Sequence, residues 1–444
     1  MDRPVARKRF SAVGSPPVAI KRLPDYTVTS LSFDRLAYGS AVAWLLTLLA
    51  CASQDSGAPG PAGPATGGSA GSGGSADGGG GTAVSTPLDY GAGSWQLENL
   101  TNTPAASEGS GPIAFLPGSV VVGWVEQAVN YSTVHAGIVG AVEALQAGDD
   151  GAWGPALAVI DGTALVVYTS RTSGRSDVYL AGGPGFAAVP LTDARDGSLG
   201  NGEASIAVGA TGVVAVAYGS TLDGGSEVRV MQWSSMPRGA AIPESVVAGA
   251  GAYVESCVAV DHDGKIHVLL VSGEPGARRL YHANNRPGAW TSEAIDGAAG
   301  YLSTPRLAIS PDGGTLVAAW EGVADGNSAL QWSKRSLEGG GWRLPSMVEY
   351  KGYWPVLAID PAGRAMVAFD DTSDMFVSWT DAPVGMDDVA FRPPVQVTAD
   401  GMGPNWQAGG IAFDPAIRTP SFTFTLSPPQ LDSEVYRAVF VPAP

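Results

Sequence analysis

The sequence predicts an all-β protein: a seven-bladed β-propeller of four-stranded antiparallel blades, closed by an N-terminal strand and preceded by a disordered tether. Three observations carry this expectation. A strand–turn–strand pattern recurs seven times along residues 87–444. Every copy places an alanine inside its first strand. The seventh copy runs out after its third strand, and a segment with the look of a fourth strand stands at the front of the repeats.

Ala114, Ala158, Ala207, Ala259, Ala308, Ala358 and Ala412 mark the copies, at spacings of 44, 49, 52, 49, 50 and 54 residues. Such a unit holds four short strands with their turns, and no helical pattern interrupts it. Innermost strands crowd around an axis, where a bulky side chain collides with its neighbours, so a small residue is expected there. Asp161-Gly162, Pro311-Asp312-Gly313 and Pro361-Ala362-Gly363 join first to second strands with hairpin-turn chemistry. Third strands are expected near residues 176–180, 226–230, 279–282, 329–333, 375–379 and 433–437. Gly185-Phe186, Gly288-Ala289-Trp290 and Gly341-Trp342 announce fourth strands. The seventh blade lacks one, and residues 93–100, opening Gly93-Ser94-Trp95, are expected to supply it and close the ring.

Charge and composition exclude several functions. The chain carries 42 acidic against 25 basic residues, a net charge of -17, which argues against a nucleic-acid partner. Its two cysteines make neither a disulfide scaffold nor a cysteine zinc site, and its four histidines limit any other metal centre. No metal and no cofactor are expected, and Asp261-His262-Asp263-Gly264 reads as a turn rather than a calcium loop.

The front of the chain is different. Residues 1–50 hold seven basic and three acidic groups, then an uncharged apolar run from Leu36 to Ala50 that is too short to span a bilayer. Residues 1–50 therefore read as a signal peptide, with a lead so long that translation is expected to start further in. Leu48-Leu49-Ala50-Cys51 resembles the lipobox of bacterial lipoproteins. That resemblance implies cleavage before Cys51, lipidation of its sulfur and membrane attachment through the lipid. Residues 51–86 are mostly Gly, Ala, Ser, Pro and Thr, a flexible linker with a reach of about 30–35 Å. By analogy with other lipoproteins, Ala52 after the cysteine favours the outer membrane, facing the periplasm or the cell surface. A monomer is expected.

In blade style, residues 90–442 resemble the sialidase/BNR-like superfamily of secreted bacterial propellers. The family's Asp-box is not intact; Gly341-Trp342 and Gly288-Ala289-Trp290 keep only its tail. The resemblance thus implies the fold and not the catalysis. Sialidases also use three arginines around the ring, whereas Arg171, Arg175 and Arg195 come from neighbouring blades. The loops expected to converge on the axis are acidic and aromatic, and Glu203, Glu255, Tyr253, Tyr301, Tyr353, Trp354, Asp370, Trp406, Arg171 and Glu321 are the candidate ligand-binding residues. Carboxylates accept sugar hydroxyls and aromatic rings pack on pyranose faces, so a neutral or cationic ligand suits this face. The first expectation is a non-catalytic module binding a glycan or an envelope protein. A glycan hydrolase working through carboxylates on the same face and a structural component of an envelope complex are the alternatives.

Overall fold

The computed structural model describes residues 88–101, 107–128, 131–139, 144–146, 151–172, 175–182, 188–193, 198–223, 225–237, 241–250, 254–274, 276–286, 289–324, 326–398, 405–427 and 433–443. Cys51 and the expected signal and linker lie outside the described residues. No described segment is helical.

Strand β1 (Gly93–Asn99) comes first and belongs to the last blade. Blade one is β2 (Ser107–Leu116), β3 (Ser119–Ala128), β4 (Tyr131–Ile138) and β5 (Ala144–Gln146). Blade two is β6 (Ala152–Ile160), β7 (Thr163–Thr172), β8 (Arg175–Gly182) and β9 (Val189–Pro190). Blade three is β10 (Gly200–Val208), β11 (Val214–Leu222), β12 (Gly225–Trp233) and β13 (Glu244–Ala250). Blade four is β14 (Val254–Val260), β15 (Ile266–Ser272), β16 (Arg278–Arg286) and β17 (Ala289–Gly300). Blade five is β18 (Ser303–Ile309), β19 (Thr315–Ala324), β20 (Asn327–Ser336) and β21 (Ser346–Tyr350). Blade six is β22 (Tyr353–Ile359), β23 (Ala365–Asp370), β24 (Met375–Trp379) and β25 (Val395–Gln396). Blade seven is β26 (Asn405–Phe413), β27 (Pro420–Leu426) and β28 (Glu434–Pro442), completed by β1.

The protein is a seven-bladed β-propeller, as the repeats predicted. Each innermost strand packs on the next, from β2 through β6, β10, β14, β18 and β22 to β26, and β26 returns to β2. The closure is also as expected: β1 runs antiparallel to β28, with Trp95 opposite Phe440 and Leu97 opposite Ala438. One marker was misplaced. Gly341-Trp342 precedes β21 instead of opening it, because that strand pairs with β20 only from Ser346 onward. Gly185-Phe186 lies outside the described residues.

A separate apolar cluster fills each of the seven gaps between blades. The repeated alanines explain how. Ala114 packs against blade two, Ala158 against blade three, Ala207 against blade four and Ala259 against blade five. Ala308, Ala358 and Ala412 continue the series against blades six, seven and one. The small side chain thus admits the following blade, a sharper reason than crowding at the axis alone.

The gap between blades seven and one is the least apolar: its buried members are Ile113, Val122 and Ala412. Glycine and threonine hold it instead. A Cβ on Gly410 would sit 2.9 Å from the Ile113 nitrogen, so the two backbones touch where no side chain fits. Thr423 Oγ1 donates to the Gly111 carbonyl at 2.5 Å, and the Ser110 amide donates to Thr425 Oγ1 at 2.6 Å. Before β1, Tyr90 wedges between blades six and seven. Its ring lies edge-on to Trp379 and Phe440, its hydroxyl donates to Asp360 at 2.9 Å, and Arg364 stacks over it at 4.4 Å.

Candidate functional site

Innermost strands enter the blades through bulges. The ladder skips between Ser110 and Ile113, Trp153 and Ala156, Asn201 and Ala204, Ser303 and Arg306, and Tyr353 and Val356. Pro112, Pro155, Pro305 and Pro355 occupy the skipped positions, where no ladder donor is needed. The residue before three of these prolines is left-handed: Gly154 at φ 60°, Thr304 at φ 51° and Trp354 at φ 44°. For threonine and tryptophan this conformation costs energy, and such strain gathers at functional sites.

A bulge also exposes backbone groups that the ladder no longer pairs, and a neighbouring blade satisfies them. Thr169 Oγ1 on blade two donates to the Gly202 carbonyl on blade three at 3.0 Å. Glu255 on blade four accepts the Thr304 amide of blade five at 2.5 Å. The clamp comes from the second strand in blade two, through Thr169 of β7, and from the first strand in blade four, through Glu255 of β14.

Four predicted residues come together through these contacts. Glu255 is buried at the start of β14. Glu321, buried at the end of β19, accepts the Ser303 hydroxyl at 2.9 Å. Asp370 ends β23 with no exposed surface, and its Oδ1 accepts the Thr372 amide at 2.8 Å. Glu203, partly exposed at the bulge of β10, packs its stem on Gly154 of blade two. The group forms a crescent over blades three to six.

The sequence reading missed its centre. Arg306, at the inner end of the β18 bulge, is 2% exposed. Its Nη1 donates to the Pro305 carbonyl at 2.9 Å, and its Nε and Nη2 are buried with no hydrogen-bond partner among the described residues. Burial lowers its pKa to about 10, while Glu255 and Glu203 oppose the shift, so the guanidinium stays charged at neutral pH. Ser303, which orients Glu321, was missed as well. The available signal was an arginine directly after Pro305, in an inner strand that continues as Leu307-Ala308-Ile309.

The carboxyls cannot all ionise around one cation in this setting. Burial lifts Glu321 to about 7, and the neighbouring Glu255 adds to the rise while the Ser303 hydroxyl restrains it. Burial lifts Asp370 well above the usual range, helped by Glu321 and Asp371. Both acids are therefore shifted toward their protonated forms, in which a carboxyl donates as well as accepts.

The aromatic residues form the rim. Tyr301 is 40% exposed, with the Arg278 guanidinium 5.7 Å over its ring, and Arg278 itself donates to the Leu302 carbonyl at 2.9 Å. Tyr353 and Trp354 are partly exposed neighbours with ring centroids 6.3 Å apart. Tyr253 lies outside the described residues, and nothing is described of the Trp406 side chain on β26. Arg171, at the end of β7, is exposed and takes no part in the crescent. The turn at Asp261 is a turn, as predicted: its Oδ1 accepts the amides of Asp263 and Lys265 at 3.0 and 2.8 Å. Among the described residues no group of three or more histidine, cysteine or acidic side chains is placed to hold a metal ion.

No family model and no curated protein matches the chain. Solved structures do. An ulvan lyase bound to a GlcA(1-4)Rha3S repeat is 10% identical, aligned over 77% of this chain and 95% of its own, at a TM-score of 0.55. A protein of unknown function from Dyadobacter fermentans is 9% identical over 78% and 98%, at 0.51. A microbial sialidase is 11% identical over 70% and 74%, at 0.45. At these identities the two closer likenesses establish the propeller fold and nothing of its chemistry.

Proposed function

We propose that this protein is a cell-envelope lipoprotein whose propeller binds a glycan at the mouth of the ring over blades three to six. The observation that carries this reading is the crescent of Glu203, Glu255, Glu321 and Asp370 around the buried Arg306, rimmed by Tyr301, Tyr353 and Trp354. Charged hydrogen-bonding groups in depth, with aromatic surface at the entrance, are the means by which proteins hold sugars. The fold is one on which a polysaccharide lyase is also built. Affinity electrophoresis through gels cast with envelope polysaccharides tests the reading: retarded migration, relieved by Glu255→Gln, is the expected result. A protein that binds no polysaccharide but captures one envelope protein would replace the glycan with a protein partner.

A glycan-cleaving enzyme is the second reading, favoured by Glu321, whose pKa near 7 suits a general acid. Release of reducing ends or unsaturated sugars from the same polysaccharides would establish it, and Glu321→Gln should then abolish the release.

The anchor is proposed from residues 48–51 and the linker that follows. Metabolic labelling with a palmitate analogue is expected to mark the protein and to be lost in Cys51→Ala; label that survives Cys51→Ala would overturn the anchor.

A further inference from the structure

We infer that the floor of this mouth recognises a neutral sugar through two adjacent free hydroxyls, taken between the vacant edge of Arg306 and the carboxylates of Glu203 and Glu255. The inference rests on the glycan-binding reading and names the class of glycan. A guanidinium has two donors, Nε–H and one Nη–H, lying parallel along one edge. In Arg306 the Nη1 group is spent on the Pro305 carbonyl, and the unpartnered pair is Nε with Nη2. Arg306 is 2% exposed, so this edge is aimed into protein rather than bulk water. Two parallel donors suit two oxygens side by side, either a carboxylate or the hydroxyls of a vicinal diol.

Charge decides between them. Glu203 and Glu255 are the acids whose charge acts on Arg306, and both would oppose a second carboxylate there. A diol meets no such objection. Each hydroxyl oxygen accepts from the guanidinium, and each hydroxyl proton is passed on to a carboxylate. Glu255 is fixed for this by the Thr304 amide across the blade boundary. Glu203 is partly exposed and Tyr301 is exposed, so these two side chains are the ones solvent reaches beside the buried edge.

The test is a glycan array carrying neutral, uronate-containing, sulfated and sialylated oligosaccharides, probed with the full chain before and after mild periodate treatment of the array. Periodate cleaves the carbon–carbon bond between adjacent free hydroxyls, leaving two aldehydes and iodate. Signals confined to neutral glycans and lost after periodate are expected. Arg306→Lys should weaken binding by about ten-fold or more, because an ammonium has no paired edge. Arg306 is buried and its variant is exposed to folding failure, so Glu203→Gln at the rim is the companion: it should fold as the unmodified protein does and admit uronate-containing glycans. Binding of the unmodified protein to uronates, sulfates or sialic acids, or signals that survive periodate, would overturn the diol while leaving glycan binding in place. A Glu203→Gln protein that still rejects uronates would overturn the charge filter. An array with no signal overturns both this inference and the reading beneath it.

Discussion

At the scale of single residues, the buried acids have a cost with a definite sign. Glu321 sits near 7 in the folded protein against an ordinary 4.5. A carboxyl held above its unfolded value favours folding less and less as pH rises through that window, then levels off. The shift corresponds to about 3 kcal/mol lost between roughly pH 4.5 and 8. Glu321→Gln should flatten this part of the stability profile in denaturant titrations, and Asp370→Asn, acting on the other buried acid, should raise stability at pH 8. If Glu321→Gln leaves the slope intact, the carboxyl is not buried as described.

A second pair of residues makes an independent prediction. His267 and His282 stack in blade four with centroids 5.3 Å apart, and their Nδ1 and Nε2 atoms approach to 3.1 Å. Asp261 lies 3.2 Å from His267 Nε2, and His282 Nδ1 faces both Arg335 Nη1 at 3.3 Å and Glu293 Oε1 at 3.2 Å, which are themselves ion-paired. With Glu293 engaged by Arg335, the relay runs from Arg335 to His282, from His282 to His267 and from His267 to Asp261. Burial, with the charges of His267, Arg335 and Lys265, depresses His282 to about 2, and burial lowers His267 despite Asp261. Nitrogen NMR should therefore find the His282 ring neutral at pH 5 and His267 titrating below an ordinary histidine, with the proton of neutral His267 on Nε2; a His267 titrating above the ordinary value would contradict the relay. Glu255, Glu321 and Asp370 were legible in the sequence because acids at strand ends interrupt an apolar pattern. Arg306 was not, because its neighbours Leu307 and Ala308 are ordinary inner-strand residues and only the fold brings Glu203 and Glu255 to it.

At the scale of elements, the inner strands were legible and the outer ones were not. Inner strands are buried on both faces, so their apolar runs, turns and alanines stand out. The fourth strands are exposed and sometimes only two residues long, as in β9 and β25, which leaves no period to read. The bulges were visible only as prolines whose meaning was not apparent. Backbone strain at this scale is testable on the surface. Lys351, between β21 and β22, is exposed at φ 59°, and Lys351→Gly should stabilise the protein by about 1 kcal/mol in thermal unfolding. The Tyr90 wedge gives a contrast. Tyr90→Phe loses the hydroxyl bond to Asp360, for about 1 kcal/mol, whereas Tyr90→Ala also empties the space beside Trp379 and Phe440, for about 3–5 kcal/mol.

At the scale of the whole molecule, the ring holds because its last blade is assembled from both ends of the repeat region. The Gly93-Ser94-Trp95 start made that legible, since a seventh blade short of one strand needs a donor. What the repeats could not reveal is that the crescent occupies only one arc of the ring, because each blade reads alike and only pairing register shows which strand ends carry acids. Ser303 stands opposite Glu321 and Tyr353 opposite Asp370, whereas the corresponding stretch of blade two pairs Trp153 with Thr169. Blade one adds a buried Glu108 opposite Glu126, so the ring is symmetric in architecture and uneven in chemistry. The most direct measurement of that claim is hydrogen exchange on the full chain, alone and saturated with the tightest-binding neutral oligosaccharide of the array. Protection gathered at the amides of Glu255, Thr304, Arg306 and Thr372 is the predicted result; protection confined to the outer strands β13, β17 and β21, with these amides unchanged, would contradict it.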